Sequence, residues 1–404
     1  MNRHEVGFLL KGSCNMQLAK VLGVHLIVTI VLNGIKPIVS LHAYSIGASV
    51  AEIGILVSAY AFLPMLLAIK IGKVLDRIGA KKLTFYGAIG MMISLIVPML
   101  IPTYFSLLFT QLVMGCSVIC CIISMQKTVG NLDGNRDKLI ALFTLMGSIG
   151  EFIGPLYTSF IYEIFGIRFT LGISIALLLV VLCIVLALPK SSSDIFEDSK
   201  PQSKGSTFTL LKNGNLRKAL IISALVLSSK DLFVAYFPVY GTNAGLRPGT
   251  IGIILSVCAA TAVLIRMFQF PLVHHYGRGK VLTVTLLTSA FSFFMIPLIS
   301  EFYFLLVISA LLGLGLGLGQ PLSIVFAMNE SETERHGEVL GLRLAINRIS
   351  QFSAPFILGG ISVALGVGFL FYLIGTTIFA GALFTRINEE NKIDTESMKR
   401  IKHS

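Results

Sequence analysis

An α-helix needs about 20 predominantly apolar residues to cross the hydrocarbon core of a bilayer, and this 404-residue chain contains twelve such stretches. Inside lipid every backbone N–H and C=O must be satisfied within the segment, so each stretch reads as a helix. The chain is 55% hydrophobic and 13% charged, with a mean hydropathy of +0.85, whereas a soluble domain carries about 25% charged residues. Twelve spans use roughly 240 residues, which leaves short loops and one linker but no large soluble domain. The expected fold is therefore an all-α integral membrane protein with twelve transmembrane helices. The first six are expected at Leu18–Leu41, Ala51–Ile71, Leu83–Ile101, Tyr104–Gln126, Leu139–Ile161 and Phe169–Leu188. The last six are expected at Lys218–Tyr240, Thr250–Leu272, Val281–Ile299, Phe302–Met328, Val339–Leu365 and Gly368–Phe384.

Composition shifts between the two sets. Residues 189–217 hold three consecutive serines, two prolines and charges of both signs, and read as a linker. This gives an N-terminal six-helix half at 1–188, a linker at 189–217, and a C-terminal half with a polar tail at 218–404. The net charge is +12. Most of the basic residues fall in the termini and in alternate loops, with only Arg168 and Arg247 in the opposite loops. That asymmetry points to a bilayer rather than a nucleic acid and puts both termini in the cytoplasm of a multi-pass protein of the inner or plasma membrane. The first apolar run is followed by eleven more, so it is not expected to be a removable signal peptide. Six cysteines show no metal-ligand spacing, and five of them read as small buried hydrophobes. No metal or cofactor is expected.

The two sets of spans also repeat. Leu142–Gly166 aligns with Leu342–Gly366 at an offset of 200 residues, matching Pro155 to Pro355. Gly47–Gly54 aligns with Gly245–Gly252 at an offset of 198, and Gly79 falls on Gly277 at that same offset. Two parallel six-helix pseudo-repeats are expected.

Between the second and third spans lies Gly72-Lys73-Val74-Leu75-Asp76-Arg77-Ile78-Gly79-Ala80-Lys81-Lys82. It reads as a tight solvated turn in which the glycines allow close approach or positive φ. Asp76 can cap a helix or pair with a base, and Arg77, Lys81 and Lys82 favour an anionic leaflet. The order of Gly72, Asp76, Arg77, Gly79, Lys81 and Lys82 resembles the signature loop of the major facilitator superfamily, a family of secondary transporters. The resemblance implies that this loop locks the two halves together on the cytoplasmic face.

The fifth span contains Gly150, Gly154 and Pro155. Its small residues allow close helix packing, and its proline loosens the helix. The segment also resembles the antiporter motif of exporting members of that superfamily. The tenth span alternates glycine from Gly313 to Gly319 before Gln320 and Pro321. With Arg335, Gly337, Gly341, Arg343 and Asn347 it is similar to drug-exporter-like members. Such exporters carry an arginine in the fourth span. Here Gln111 precedes Gly115, a departure from that pattern, and Glu151 and Asp231 are expected to substitute in proton transfer.

Charged residues inside the spans mark candidate sites, since burying them in lipid is costly. Glu151 is either a proton carrier or half of a structural ion pair. Asp231 follows Lys230, and as neighbours on a helix they point about 100° apart, so they need not pair with each other. Lys36, Lys230, Arg266, Arg343 and Arg348 outnumber these two acids. The excess suggests an anionic or zwitterionic substrate, although Lys36, Lys230 and Arg266 could also snorkel from helix ends. Arg343, Asn347 and Gln351 recur at i, i+4 and i+8 on one helix face and are expected to line the central cavity. His25 is a packing residue, a proton relay or a substrate contact.

Together the resemblance and the embedded charges lead to a monomeric, non-enzymatic secondary transporter. Its expected partners are a small-molecule substrate, protons and the lipid bilayer. The expected activity is proton-coupled efflux of an amphipathic, zwitterionic or anionic compound, such as a drug or a metal-chelating metabolite. The alternatives are an importer of an organic anion or sugar on the same fold, and a non-transporting membrane receptor.

Overall fold

The computed structural model describes residues 3–132, 135–188, 210, 212–329 and 335–384. Among these residues the chain is a succession of helices. They are α1 (Arg3–Ser45), α2 (Val50–Ile78), α3 (Ala80–Leu100), α4 (Tyr104–Gly130), α5 (Arg136–Leu186), α6 (Gly214–Asn243) and α7 (Pro248–Met267). They continue with α8 (Gln269–Tyr276), α9 (Arg278–Met295), α10 (Phe302–Gly317), α11 (Gly319–Asn329), α12 (His336–Leu365) and α13 (Val367–Phe384).

Ten helices among the described residues are long and apolar enough to cross a membrane, and Val367–Leu383 is a shorter apolar one. The tally reaches twelve because α5 is two helices. Its 51 residues would run about 76 Å at 1.5 Å per residue, far beyond one bilayer. Gly166 inside it has φ 74° and ψ −175°, so the chain turns back there.

Local chemistry sets the helix ends. Ser49 and Glu52 form a reciprocal capping box at the start of α2, with Ser49 N–H donating to Glu52 Oε2 at 2.7 Å. Asn135 and Asn213 accept the first backbone N–H groups of α5 and α6. Among the described residues, positive φ occurs at Gly47, Gly79, Gly166, Gly245, Gly277 and Gly366 alone. These are three repeat-related pairs, and Gly79 (φ 82°, ψ 161°) and Gly277 (φ 79°, ψ 152°) share nearly the same backbone angles. A side chain at such angles is strained, so glycine marks each turn.

The turns divide into two ends of the helix bundle. Gly47, Gly166, Gly245 and Gly366 lie at the far end. Gly79, Gly277, the end of α5 and the start of α6 lie at the other end, termed the linker end. Large apolar side chains such as Ile69, Phe105, Met267, Phe270 and Tyr303 are more than three-quarters exposed, as a bilayer-facing surface requires.

Several expected boundaries shift. The turn expected over Gly72–Lys82 shortens to Gly79 alone, because α2 continues to Ile78 and α3 starts at Ala80. The repeat-related turn is likewise a single residue, Gly277, between α8 and α9. The expected linker at 189–217 falls largely outside the described residues, and from Gly214 onward it is already α6. The first helix starts at Arg3, ahead of the span expected from Leu18. The eighth and tenth spans are each broken, at Phe268 and at Leu318.

Candidate functional site

Two cavities flank α1 and α6 at mid-depth. The first, about 370 Å³, lies between α1, α2, α4, α6 and α12 and is lined by Lys36, Tyr60, Gln111, Asp231, Val234 and Gln351. The second, about 530 Å³, is bounded by α1, α5, α6, α7 and α10. Asn33, Glu151, Lys230, Phe233, Arg266 and Leu316 line it, together with the shared Val234.

Each cavity holds an ion pair that joins helices from opposite halves of the chain. Lys36 Nζ donates to Asp231 Oδ1 at 3.1 Å, and Lys230 Nζ donates to Glu151 Oε2 at 2.7 Å. The 100° step between neighbours on α6 sends Lys230 into one cavity and Asp231 into the other. Asp231 also accepts from Gln351 Nε2 at 2.5 Å, and Gln351 Oε1 accepts from Arg348 Nη1 at 3.0 Å. Lys36 Nζ stands 4.8 Å from the centroid of the Tyr60 ring, a cation–π distance. All four ion-paired side chains keep 17 to 28% of their surface accessible, so a proton or ligand can reach them.

Arg266 is held by a defect in the neighbouring helix. Pro321 has no N–H to give the Gly317 carbonyl four residues back, and α10 ends there. Arg266 Nε fills that vacancy at 3.0 Å, and its Nη1 donates to Ser148 Oγ on α5 at 3.3 Å. Lys36, Lys230 and Arg266 therefore make specific contacts across the bundle. Sequence position leaves snorkelling open for them, and the geometry replaces it with defined partners.

The stripe Arg343, Asn347 and Gln351 does share one buried face, and of the three Gln351 lines one of these two cavities. Arg343 donates to Gln320 and Ser323 of α11, and Asn347 accepts from Ser223 Oγ of α6 at 2.9 Å. Those two residues fasten α12 to its neighbours. Gln320 Nε2 in turn donates to the Ser223 carbonyl at 2.6 Å. His25 also lies away from both cavities. It stacks on Phe143 with ring centroids 3.7 Å apart and sits against Gly147.

Glycine contacts seal the far end. A Cβ on Gly54 of α2 would fall 2.5 Å from the Pro355 carbonyl oxygen of α12, and one on Gly252 of α7 would fall 2.8 Å from the Pro155 carbonyl oxygen of α5. These contacts are repeat-related and join opposite halves. Nearby, Tyr44 donates to Asn243 Oδ1 at 2.5 Å, Gly249 N–H to Glu163 Oε2 at 2.7 Å, and Ser256 Oγ to the Phe152 carbonyl at 2.7 Å. Gly150 and Gly154 pack on α1, where a Cβ on Gly154 would lie 2.7 Å from both Gly34 N and the Ile30 carbonyl.

At the linker end the turn residues bond within their own half. Asp76 accepts from Lys127 at 3.1 Å. Lys81 donates to the Leu186 carbonyl at 2.8 Å and to the Leu188 carbonyl, and Lys20 to the Ala187 carbonyl at 3.1 Å. These amines satisfy the last carbonyls of α5, the negative end of that helix. Arg77 and Lys82 are exposed, and the space over Gly72 is open.

The sequence matches the Major Facilitator Superfamily over residues 21–270 and again over 219–401. The chain belongs to this superfamily. It is 23% identical over 361 residues to Multidrug resistance protein 2 of Bacillus subtilis, covering 86% of this chain and 89% of that protein. It is 25% identical over 175 residues to the multi-drug resistance efflux pump PmrA of Streptococcus pneumoniae, covering 42% and 44% of the two chains. Among solved structures, a point mutant of the nucleoside transporter NupG superposes with a TM-score of 0.79 at 15% identity, covering 92% of this chain and 98% of that one. A POT family transporter bound to 5-aminolevulinic acid gives 0.75 at 14% identity, covering 91% and 94%. These superpositions establish the fold: an all-α, multi-pass fold of twelve spans in two pseudo-repeats.

Proposed function

We propose that this chain is a proton-coupled exporter of a small amphipathic compound, zwitterionic or anionic, working by alternating access. The carrying observation is the pair of ion pairs, Lys36–Asp231 and Lys230–Glu151, each bridging the two halves inside a central cavity. A proton on Asp231 or Glu151 removes one bridge, so proton occupancy bears directly on how the halves hold together. The multidrug-resistance names of the relatives support export.

Under the positive-inside rule the linker end faces the cytoplasm of the inner or plasma membrane. The glycine-sealed far end then faces outward, and the described conformation is closed to the outside. In the opposite conformation the turn bearing Asp76, Arg77, Lys81 and Lys82 would meet the other half and lock it. The transporter acts as a monomer in lipid, with the substrate and protons as its partners.

The test is flux in proteoliposomes under an imposed pH gradient, comparing the wild type with Glu151→Gln and Asp231→Asn over zwitterionic and anionic compounds. Gradient-driven movement that either variant abolishes, with binding retained, supports the reading. Normal coupled flux in both variants sinks it. Movement with the proton rather than against it would instead establish an importer.

A further inference from the structure

The two central cavities are copies of each other. Val57, Tyr60 and Ala61 line the first, and Leu255, Cys258 and Ala259, each 198 positions on, line the second. The acids follow the same frame with their roles exchanged. Asp231 in the first cavity corresponds to Asn33 in the second, again at 198. Gln351 in the first corresponds to Glu151 in the second, at the offset of 200 that relates Pro155 to Pro355. Each cavity thus carries one carboxylate, and an amide where the other cavity has its carboxylate, with the acid on a different helix in each; Gln111 is a further amide of the first cavity. Helix packing follows the pattern too. Gly115 abuts the Tyr60 carbonyl, and Gly313, 198 further on, abuts the Cys258 carbonyl.

The bases break this symmetry. Arg266 corresponds to Ala68, and Lys230 to Leu32. The second cavity therefore holds a carboxylate between two cations, beside an apolar wall that includes Phe233, Leu255 and Leu316. The charged and titratable groups around Glu151 are Lys230 on α6, Arg266 and Cys258 on α7, and Lys36 on α1. Such an arrangement complements a ligand that carries both signs of charge close together and an apolar body.

We propose that the cavity between α5, α6, α7 and α10 binds a dipolar organic molecule, its ammonium on Glu151, its carboxylate on Lys230 and Arg266, and its apolar body on Phe233, Leu255 and Leu316. The ammonium and a proton then compete for the same carboxylate, which is what exchange of one for the other requires. This assignment rests on the transport reading above and names the substrate class of one of its two cavities. The first cavity, with Asp231 held by Lys36 and Gln351, is left as a separate compartment on the other side of α6.

Three probes with one phenyl body separate the charges: L-phenylalanine (dipolar), 3-phenylpropanoate (anion only) and 2-phenylethylammonium (cation only). Their binding to purified wild-type protein is measured by equilibrium dialysis with labelled compounds at a series of pH values, each without a gradient. The chain has no tryptophan, so a Phe233→Trp variant reports fluorescence from the second cavity and a Tyr60→Trp variant from the first. The expected result is binding of L-phenylalanine about 10-fold tighter than either single-charge probe, weakening as pH falls, with a response from Phe233→Trp alone. Arg266→Gln should erase the advantage over 2-phenylethylammonium, and Glu151→Gln the advantage over 3-phenylpropanoate. Equal or tighter binding of a single-charge probe overturns the proposal. So does a response confined to Tyr60→Trp, or no binding of any probe at millimolar concentration. Gradient-driven flux on the same reconstituted protein judges the transport reading separately, since binding at equilibrium involves no gradient.

Discussion

Lys230 and Asp231 are consecutive on α6, yet they pair with residues on different helices: Glu151 of α5 at 2.7 Å and Lys36 of α1 at 3.1 Å. One turn of one helix in the second half therefore grips two helices of the first half with opposite charges. Any roll of α6 strains both pairs at once.

The Lys230–Glu151 contact should couple its two residues energetically. Removing one partner of a fully buried pair costs about 3–5 kcal/mol, and an exposed pair is worth about 1 kcal/mol or less. These side chains are about one-fifth to one-quarter accessible, so Lys230→Ala should cost about 1–3 kcal/mol. A double-mutant cycle with Glu151→Ala, read from thermal unfolding in detergent, should give a coupling of about 1 kcal/mol or more. Strict additivity of the two single changes would mean that the pair contributes nothing.

Arg266 and Pro321 offer a rescue experiment. Arg266→Ala orphans the Gly317 carbonyl that Pro321 cannot serve, at about 1–3 kcal/mol. In a Pro321→Ala background the residue at 321 regains an N–H for that carbonyl. The same Arg266→Ala change should then cost clearly less. Equal costs in both backgrounds would show that the carbonyl is not what Arg266 stabilises.

The glycine seal predicts an accessibility change. Gly54→Leu and Gly252→Leu each drive a side chain into the backbone of the partner helix. Both should increase labelling of a Ser256→Cys reporter, buried one turn along α7 from Gly252, by a membrane-impermeant thiol reagent added from the far-end side. A matched Gly341→Leu change, at a position with open space around it, should leave labelling unchanged.

His25 tests the line between packing and proton relay. Its ring stacks on Phe143, and its Nδ1 is buried without a hydrogen-bond partner. His25→Phe keeps the stack and removes an unsatisfied polar atom, so the melting temperature should hold or rise. Coupled flux should stay within about 2-fold, a barrier change of less than about 0.5 kcal/mol. Loss of flux with unchanged melting would return His25 to the relay.

The repeat was legible in the sequence because turn glycines and helix prolines are chosen by the backbone, and the backbone is what the two halves share. Gly47, Gly79 and Gly166 could be matched to Gly245, Gly277 and Gly366 before any coordinates, and the six are the positive-φ residues among those described. The separation of Lys230 from Asp231 was legible too, since it needs only the 100° helical step. Their actual partners were not, because pairing depends on how α6 is rotated against α1 and α5, which one-dimensional spacing does not contain. For the same reason Arg343 and Asn347 read as cavity lining. Periodicity placed them on one face, but Ser223, Gln320 and Ser323, which claim them, sit on other helices. The short turn at Gly79 was overestimated because Lys73, Asp76 and Arg77 look like loop residues, while α2 carries them beyond the apolar span.

The two far-end glycine contacts exchange partners across the pseudo-twofold: α2 of the first half leans on α12, and α7 of the second half leans on α5. Neither is a hinge for the other. A seal made of two equivalent bearings on opposite sides of the axis cannot be peeled open from one edge; the loads on both must be relieved together. Under the alternating-access reading, separation at that face is therefore an all-or-none event, and a lesion at either bearing should loosen the whole rim rather than its own side.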